Sequence, residues 1–355
     1  MGRAHAVWRE TQRVALTLAI SAFGGFIASL LHLPAAWLMG GALAVAIAAI
    51  SGVRVGLPAW ATEITFISTG LSMGATVARD SFSLMGQWPV TIGALALEVV
   101  LIVLITGAVL RRVFRLDRGT AYLSSLPGQL NMVLSMAAAG VGNPRQIVII
   151  QVMRLMALTI CVPVGALFLP VGHYALPVDT ALISPLTLII VWVLCAATGF
   201  VFARLRVPAG YALGAMALAT AAKLLGGFDG QMPPTLLVII FIAVGGVIGS
   251  RFVGLTRGEL KAAAASGLVG TAVTLAVVTA VSFTASLFVQ APLGQIWLGL
   301  APGALESMGA LGIALGFDTA FIAAHHVVRI LVLSFAIPGV ALLVREPSSA
   351  RQNAE

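Results

Sequence analysis

Residues 14–53, which decide the fold class, read VALTLAISAFGGFIASLLHLPAAWLMGGALAVAIAAISGV. These 40 residues contain no Asp, Glu, Lys or Arg, and residues 262–305 form a second uncharged stretch of 44. A helix rises about 1.5 Å per residue, so about 20 apolar residues cross a bilayer and each stretch holds about two crossings. The sequence therefore predicts an integral membrane protein with many spans.

The composition of the whole chain agrees with this class. Of its 355 residues, 60% are hydrophobic and 9% are charged, and the mean hydropathy is +1.07. Soluble globular proteins are about 45–50% apolar and about 25% charged, so a water-soluble enzyme and a disordered protein are excluded. The net charge of +8 comes from basic residues beside apolar runs, which favours cytoplasmic retention of loops over direct binding of nucleic acid.

No residue pattern indicates a catalytic, metal or cofactor site. Cys161 and Cys195 lie inside apolar segments, where cysteine is usually a small core residue. His325 and His326 are adjacent, and neighbouring positions of a regular helix point too far apart to chelate one metal ion. Because no phosphate-binding Gly-x-x-x-x-Gly-Lys-Ser/Thr loop is present either, we expect neither an enzyme nor an ATP-driven pump.

The chain repeats itself once. The sequence LPAAWLMG (33–40) matches VPAGYALG (207–214) at an offset of 174 residues, and after one single-residue shift the offset is 175. At that offset Pro127-Gly128 matches Pro302-Gly303 and Arg154 matches Arg329. So many landmarks in register indicate a duplication. We therefore divide the chain into a tail (1–13), repeat 1 (14–172), repeat 2 (173–344) and a second tail (345–355).

Each repeat is predicted to contain five long apolar helices and one shorter, broken element. The predicted long helices are 14–32, 34–52, 58–78, 88–110 and 144–169, followed by 181–203, 208–226, 233–250, 262–288 and 318–344. The broken elements are 119–141 and 293–316, each with Pro-Gly near its middle, where proline and glycine interrupt a helix. Each arm is about ten residues, or about 15 Å, which places the break near the middle of a ~30 Å membrane core.

The distribution of Lys and Arg favours inverted repeats with re-entrant broken elements. If the broken elements turn back, each repeat has five spans and 16 basic residues face the cytoplasm against 2 outside. If they cross, each repeat has six spans and the count is 11 against 7. Cytoplasmic loops carry the excess of Lys and Arg, so we predict an all-α bundle of two inverted tandem repeats. Both termini are expected in the cytoplasm of a bacterial inner-membrane protein.

The doubled ProAla-x-x-x-x-Gly segment and the run ProGlyAlaLeuGluSerMet…HisHis-x-x-Arg (302–329) resemble the AbrB-duplication family of bacterial membrane proteins. Members are commonly labelled AbrB family transcriptional regulators or ammonia monooxygenases. The first repeat departs from the pattern, with Gln129 and Asn131 where the second has Ala304 and Glu306. The architecture also resembles, more loosely, the cation–proton antiporters and anion transporters. A copper oxygenase would need several convergent imidazoles, which the sequence does not supply.

The two Pro-Gly breaks are the predicted substrate or ion site. Breaks entering from opposite faces would bring two half-helix N-termini together, as in many transporters. The alternative is that Pro and Gly only kink two packed helices. The candidate binding residues on the two broken elements are Ser125, Pro127, Gly128, Gln129, Asn131, Pro302, Gly303, Glu306 and Ser307.

Three further candidates, Arg154, His326 and Arg329, lie on the following helices. An intramembrane arginine costs at least ~2.5–3.5 kcal/mol unless it is paired or hydrated. Arg154 and Arg329 therefore either bind an anion or form a buried ion pair with Glu306 or Glu98. His326 either passes protons to Glu306 or is a packing residue. Glu98 is itself a proton site or a counter-charge for an arginine.

Two functions are open at this point. The first is a secondary transporter of a small solute, anionic and coupled to H⁺, with alternating access between repeat-built bundles. The second, which the family label implies, is a membrane-embedded regulator or sensor that influences gene expression without transport. The sequence is compatible with a homo-oligomer and does not name the solute.

Overall fold

The computed structural model describes residues 2–77, 86, 88–127, 133, 135–137, 140–166 and 182–344. In these residues thirteen helices account for the fold, and one isolated bridge joins Leu182 to Gln231. The helices of the first half are α1 (Gly2–Leu30), α2 (Ala36–Ile50), α3 (Ala59–Thr76), α4 (Trp88–Val113), α5 (Arg118–Ser125) and α6 (Pro144–Ala166). Those of the second half are α7 (Pro185–Arg204), α8 (Gly210–Leu224), α9 (Pro234–Ser250), α10 (Arg257–Ser286), α11 (Leu293–Leu300), α12 (Leu305–Leu315) and α13 (Thr319–Val344).

The predicted all-helical class is confirmed. Helix ends agree with the prediction within a few residues, except that α1 begins at Gly2 and includes most of the stretch assigned to the N-terminal tail. Five helices are long and apolar enough to cross a membrane: Trp8–Leu30, Trp88–Val113, Pro144–Cys161, Pro185–Arg204 and Arg257–Ser286. Shorter apolar helices, such as the 15 residues of α2, span about 22 Å.

The duplication is visible in the backbone of the first turn of each half. The turns after α1 and α7 carry left-handed residues at His32 and Ala35 and, 174 positions later, at Arg206 and Ala209. Left-handed backbone is uncommon for residues with a Cβ, so its recurrence at equivalent positions is specific. The φ values of Ala35 and Ala209, 49° and 53°, are nearly equal.

The two halves interlock by exchanging their third helices. Helix α3 packs on α8 of the other half, and α9 packs on α2 in the same way. Gly74 of α3 meets Met216 and Ala219, while Gly249 of α9, its counterpart, meets Ala42 and Val45. Small residues let membrane helices approach closely, so these glycines form the exchange interface. Helices α1–α3 and α7–α9 together make one bundle.

The second bundle contains the remaining helices of both halves. Helix α10 packs on α4 and α6, and α13 packs on α4, α11 and α12. The contact between α4 and its counterpart α10 is antiparallel, because Leu110 lies beside Gly270 whereas Thr106 bonds Thr274 at 3.3 Å. Inverted repeats would place equivalent helices in this way, and the inversion itself stays a prediction. The side of the membrane that each loop faces stays a prediction.

The exchange interface predicts a strong effect of Gly249→Leu. A Cβ at residue 249 would lie 2.6 Å from both the Ala42 carbonyl oxygen and the Val45 Cβ, so the helices must separate. We expect a large fall in thermal stability in detergent and a loss of monodisperse protein. Gly93→Leu is the matched control, since no atom of the described residues lies within 4 Å of a Cβ there. Equal stability of the two variants would contradict this packing.

Candidate functional site

The Pro-Gly element of the second half is broken where the sequence predicts. Helix α11 ends at Leu300, residues 301–304 are extended or turned, and α12 begins at Leu305. In the first half α5 ends at Ser125 and is followed by Leu126 and Pro127. Three predicted site residues of this half lie outside the described residues: Gly128, Gln129 and Asn131.

Each buried arginine caps the half-helix of its own repeat. Arg329 donates from Nη1 to the Ala301 carbonyl at 2.7 Å and from Nη2 to the carbonyls of Gly299 and Leu300 at 2.9 and 2.6 Å. Arg154 is 6% exposed and Arg329 2%. Both guanidinium groups therefore lie at the C-terminal end of a half-helix, where the dipole is negative.

Arg154 donates to the equivalent three carbonyls of the first repeat. Its Nη1 donates to the carbonyls of Ser124 and Ser125 at 3.1 and 3.3 Å, and its Nη2 to that of Leu126 at 2.9 Å. These three acceptors are 175 positions before those of Arg329, the offset read from the sequence. The last carbonyls of a helix have no intrahelical partner, so at membrane depth each arginine satisfies three of them. Among the described residues neither arginine forms an ion pair with an acid within 4.0 Å.

The break of the second repeat lines a cavity of about 80 Å³ together with α6 of the first repeat. Its walls come from α6 of the first half and from the interruption in the second half. The lining residues are Gln151, Val152, Arg154, Leu155, Arg251, Pro302, Gly303 and Ala304. Arg154 also bonds the Leu126 carbonyl, which directly precedes the Pro127-Gly128 pair of the first repeat. Of the predicted site residues, Arg154, Pro302 and Gly303 are thus brought together.

Glu306 stands at the start of α12, beside this cavity. It is the second residue of the helix, 8% exposed, and it interacts electrostatically with Arg251 at the C-terminal cap of α9. A carboxylate is stabilised at a helix N-terminus, where the dipole is positive. The N-terminus of α12 therefore already carries its own acid, and the basic groups of the cavity are Arg154 and Arg251.

The other predicted residues have local partners. The Ser125 hydroxyl donates to the Tyr122 carbonyl at 2.7 Å, and the Ser307 hydroxyl to the Ala304 carbonyl at 2.9 Å. His326 is 3% exposed; its Nδ1 lies 2.9 Å from the Ile322 carbonyl oxygen, and its Nε2 has no partner among the described residues. The described residues form no hydrogen-bonded path between His326 and Glu306.

Two residues that line the cavity are not among the site residues predicted from the sequence. Arg251 follows an apolar helix and reads as an ordinary cytoplasmic loop residue, although it lines the cavity. Gln151, at the position of the first repeat equivalent to His326, also lines the cavity, and its Nε2 donates to the Leu123 carbonyl at 3.3 Å. Its position three residues before Arg154, on the same helix face, was the available signal.

Comparison with known proteins gives concordant matches. The family model described as "Transition state regulatory protein AbrB" matches residues 1–83 and 37–345. The chain is 22% identical to "Uncharacterized protein YhjN" of Bacillus subtilis (strain 168), with 90% of each chain covered. It is 24% identical to "Putative regulator AbrB" of Escherichia coli (strain K12), with 90% of this chain and 92% of the relative covered.

Proposed function

The chain belongs to the AbrB family of these comparisons, and on that premise we propose that it is a secondary transporter of a small anionic solute. The observation that carries this proposal is the cavity in which Arg154 of one repeat faces the Pro302-Gly303 break of the other. Non-helical backbone at membrane depth is tolerated inside protein or beside a water-filled cavity. Transporters place such interrupted helices around their substrates.

The charges around the cavity favour an anion. Arg251 and Arg154 supply two positive groups, and Glu306, close to Arg251, supplies one negative group. A carboxylate or similar anion would pair with Arg251 in competition with Glu306. Its entry would then change the contacts at the start of α12, which is the element that also packs on α3 of the other bundle.

The two-bundle arrangement supports a mechanism of alternating access. Helices α1–α3 and α7–α9 form one unit, and the broken elements with their neighbours form the other. The cavity lies where the second unit meets α9, whose cap carries Arg251. Relative movement of the units would open the cavity first to one side and then to the other.

Uptake by reconstituted protein tests the proposal. Purified protein in liposomes is offered radiolabelled acetate, lactate, succinate, citrate and phosphate, each under an inward proton gradient. We expect uptake of at least one of these anions above that of protein-free liposomes, and exchange against the same unlabelled anion. Folded protein that moves none of them would contradict the proposal.

A regulator without transport is the second candidate function. The descriptions of the family and of the Escherichia coli relative as regulators favour it. In that case the cavity would bind its ligand and signal to a partner through the cytoplasmic loops. Binding of an anion to the purified protein without any flux would support this candidate. Transcript changes after deletion of the gene would not separate the two, since loss of a transporter also alters expression.

A further inference from the structure

Glu98 is a buried acid that does not line the cavity. It lies in the middle of α4 on the stripe that also carries Thr91, Leu95 and Ile102, and it is 0% exposed. Neither of its carboxylate oxygens has a hydrogen-bond partner among the described residues. The equivalent position of the second half, 175 residues later, is Val273, so this acid occurs once per chain.

One charged group interacts with it. The elements packed on α4 are α5, α10, α11 and α13. The described titratable and charged side chains of these elements are Arg118 and Tyr122 on α5, Arg257, Glu259 and Lys261 at the start of α10, and His325, His326 and Arg329 on α13. Of these, Arg329 is the group whose charge acts on Glu98.

Glu98 and Arg329 have complementary unused groups. Arg329 donates from Nη1 and Nη2 to the carbonyls of residues 299–301, but its buried Nε has no hydrogen-bond partner in the described part of the chain. The two side chains are not within ion-pair distance there. The observed arrangement therefore leaves the Arg329 Nε and both Glu98 oxygens available for a direct contact.

We propose that Glu98 is the site at which this transporter carries its coupling proton, and that Arg329 transmits the charge of Glu98 to the Pro302-Gly303 break. The inference rests on the proposed transport function. An ionised carboxylate that is buried without a hydrogen bond or a partner costs several kcal/mol, so the observed geometry suits the protonated acid. In that state Arg329 remains on the three carbonyls.

Loss of the proton changes this balance. The O–H bond of Glu98 breaks, the proton passes to water on the side that is open, and the remaining carboxylate attracts the guanidinium. Arg329 is thereby drawn towards Glu98, and its hydrogen bonds to the carbonyls of residues 299–301, which directly precede Pro302, are weakened. A sodium ion fits the site poorly, because the charge of Arg329 repels it and the described residues contain no group of three His, Cys, Asp or Glu side chains that could hold a metal ion.

Carbodiimide labelling tests the protonation of Glu98 without knowledge of the solute. Dicyclohexylcarbodiimide reacts with protonated carboxyl groups in apolar surroundings, and peptide mass spectrometry locates the adduct. We expect labelling of Glu98 at neutral pH that falls as the pH is raised. Glu259, which is 31% exposed and bonded to Arg145, is the internal control and should remain unlabelled. Absence of an adduct at Glu98 at every pH would overturn the proposal.

Glu98→Gln separates coupling from transport. The amide is isosteric with the neutral acid, so we expect unchanged thermal stability and retained exchange of the anion found for the wild type. Accumulation driven by a proton gradient should fall at least ten-fold, and the pH dependence of exchange should disappear. Gradient-driven accumulation at the wild-type level would overturn the inference about Glu98 while leaving transport intact. Failure of the proposed function would differ, because the wild type would then show no flux at all.

Discussion

Arg329→Ala and Arg154→Ala are each expected to abolish the stable fold. Each substitution removes the arginine donors from three carbonyls at the end of a half-helix, in a region where lipid and apolar side chains offer none. In the second half the Ala301 carbonyl keeps one other donor, the Gly303 N–H at 2.9 Å, so the carbonyls of Gly299 and Leu300 are the ones left bare. A buried unsatisfied polar group costs about 1–3 kcal/mol, so the loss of two or three removes a large part of the ~5–15 kcal/mol that stabilises a typical protein. Thermal unfolding in detergent, followed by a thiol-reactive dye or by size exclusion, measures the effect.

The matched control is an arginine that does not cap a half-helix. Arg257 is exposed and its one described hydrogen bond, to the Ser51 hydroxyl, is 3.5 Å long, so Arg257→Ala should unfold like the wild type. Arg329→Lys should rescue stability in part, because an ammonium group donates to carbonyls but does not match the planar fork of arginine. Wild-type stability of either alanine variant would show that the capping role is wrong.

Ala304→Phe is expected to abolish transport while the protein remains folded. Ala304 lines the 80 Å³ cavity and caps α12 with an extended backbone, φ −75° and ψ 142°, that any residue adopts. A benzyl side chain there would occupy the space between Arg154 and the Pro302-Gly303 break. We expect at least a ten-fold loss of anion uptake in liposomes.

The control for this variant keeps the cavity open. Ala304→Ser adds one hydroxyl group and should transport within a few-fold of the wild type. Thermal unfolding of both variants distinguishes a blocked site from a misfolded protein. Uptake by Ala304→Phe at the wild-type rate would place the solute elsewhere.

The position of the second break and the equivalence of the two arginines could be predicted from the sequence. The 175-residue offset pairs Arg154 with Arg329, and the same offset relates the two sets of carbonyls that they cap. Pro-Gly within an apolar run likewise marks the interruption between α11 and α12, since both residues oppose a helix.

The partners of these residues could not be predicted in this way. The sequence suggests Glu306 or Glu98 as the ion-pair partner of the arginines, because opposite charge is the only sign of pairing that a sequence contains. The structure gives backbone carbonyls instead, which every residue possesses and no pattern distinguishes. Arg251 was missed for a related reason, since only the packing of α9 against the second bundle brings it to the cavity.

Sidedness of two loops tests the central claim most directly, namely that two inverted repeats bring their breaks together. Single cysteines are introduced at residue 175 and at Gln290 in a Cys161→Ser, Cys195→Ala background, and intact cells are treated with a membrane-impermeant maleimide. The inverted arrangement predicts that both positions react from outside, whereas Arg115→Cys reacts only after the membrane is permeabilised. Protection of residues 175 and 290 in intact cells, with labelling after permeabilisation, would contradict the account.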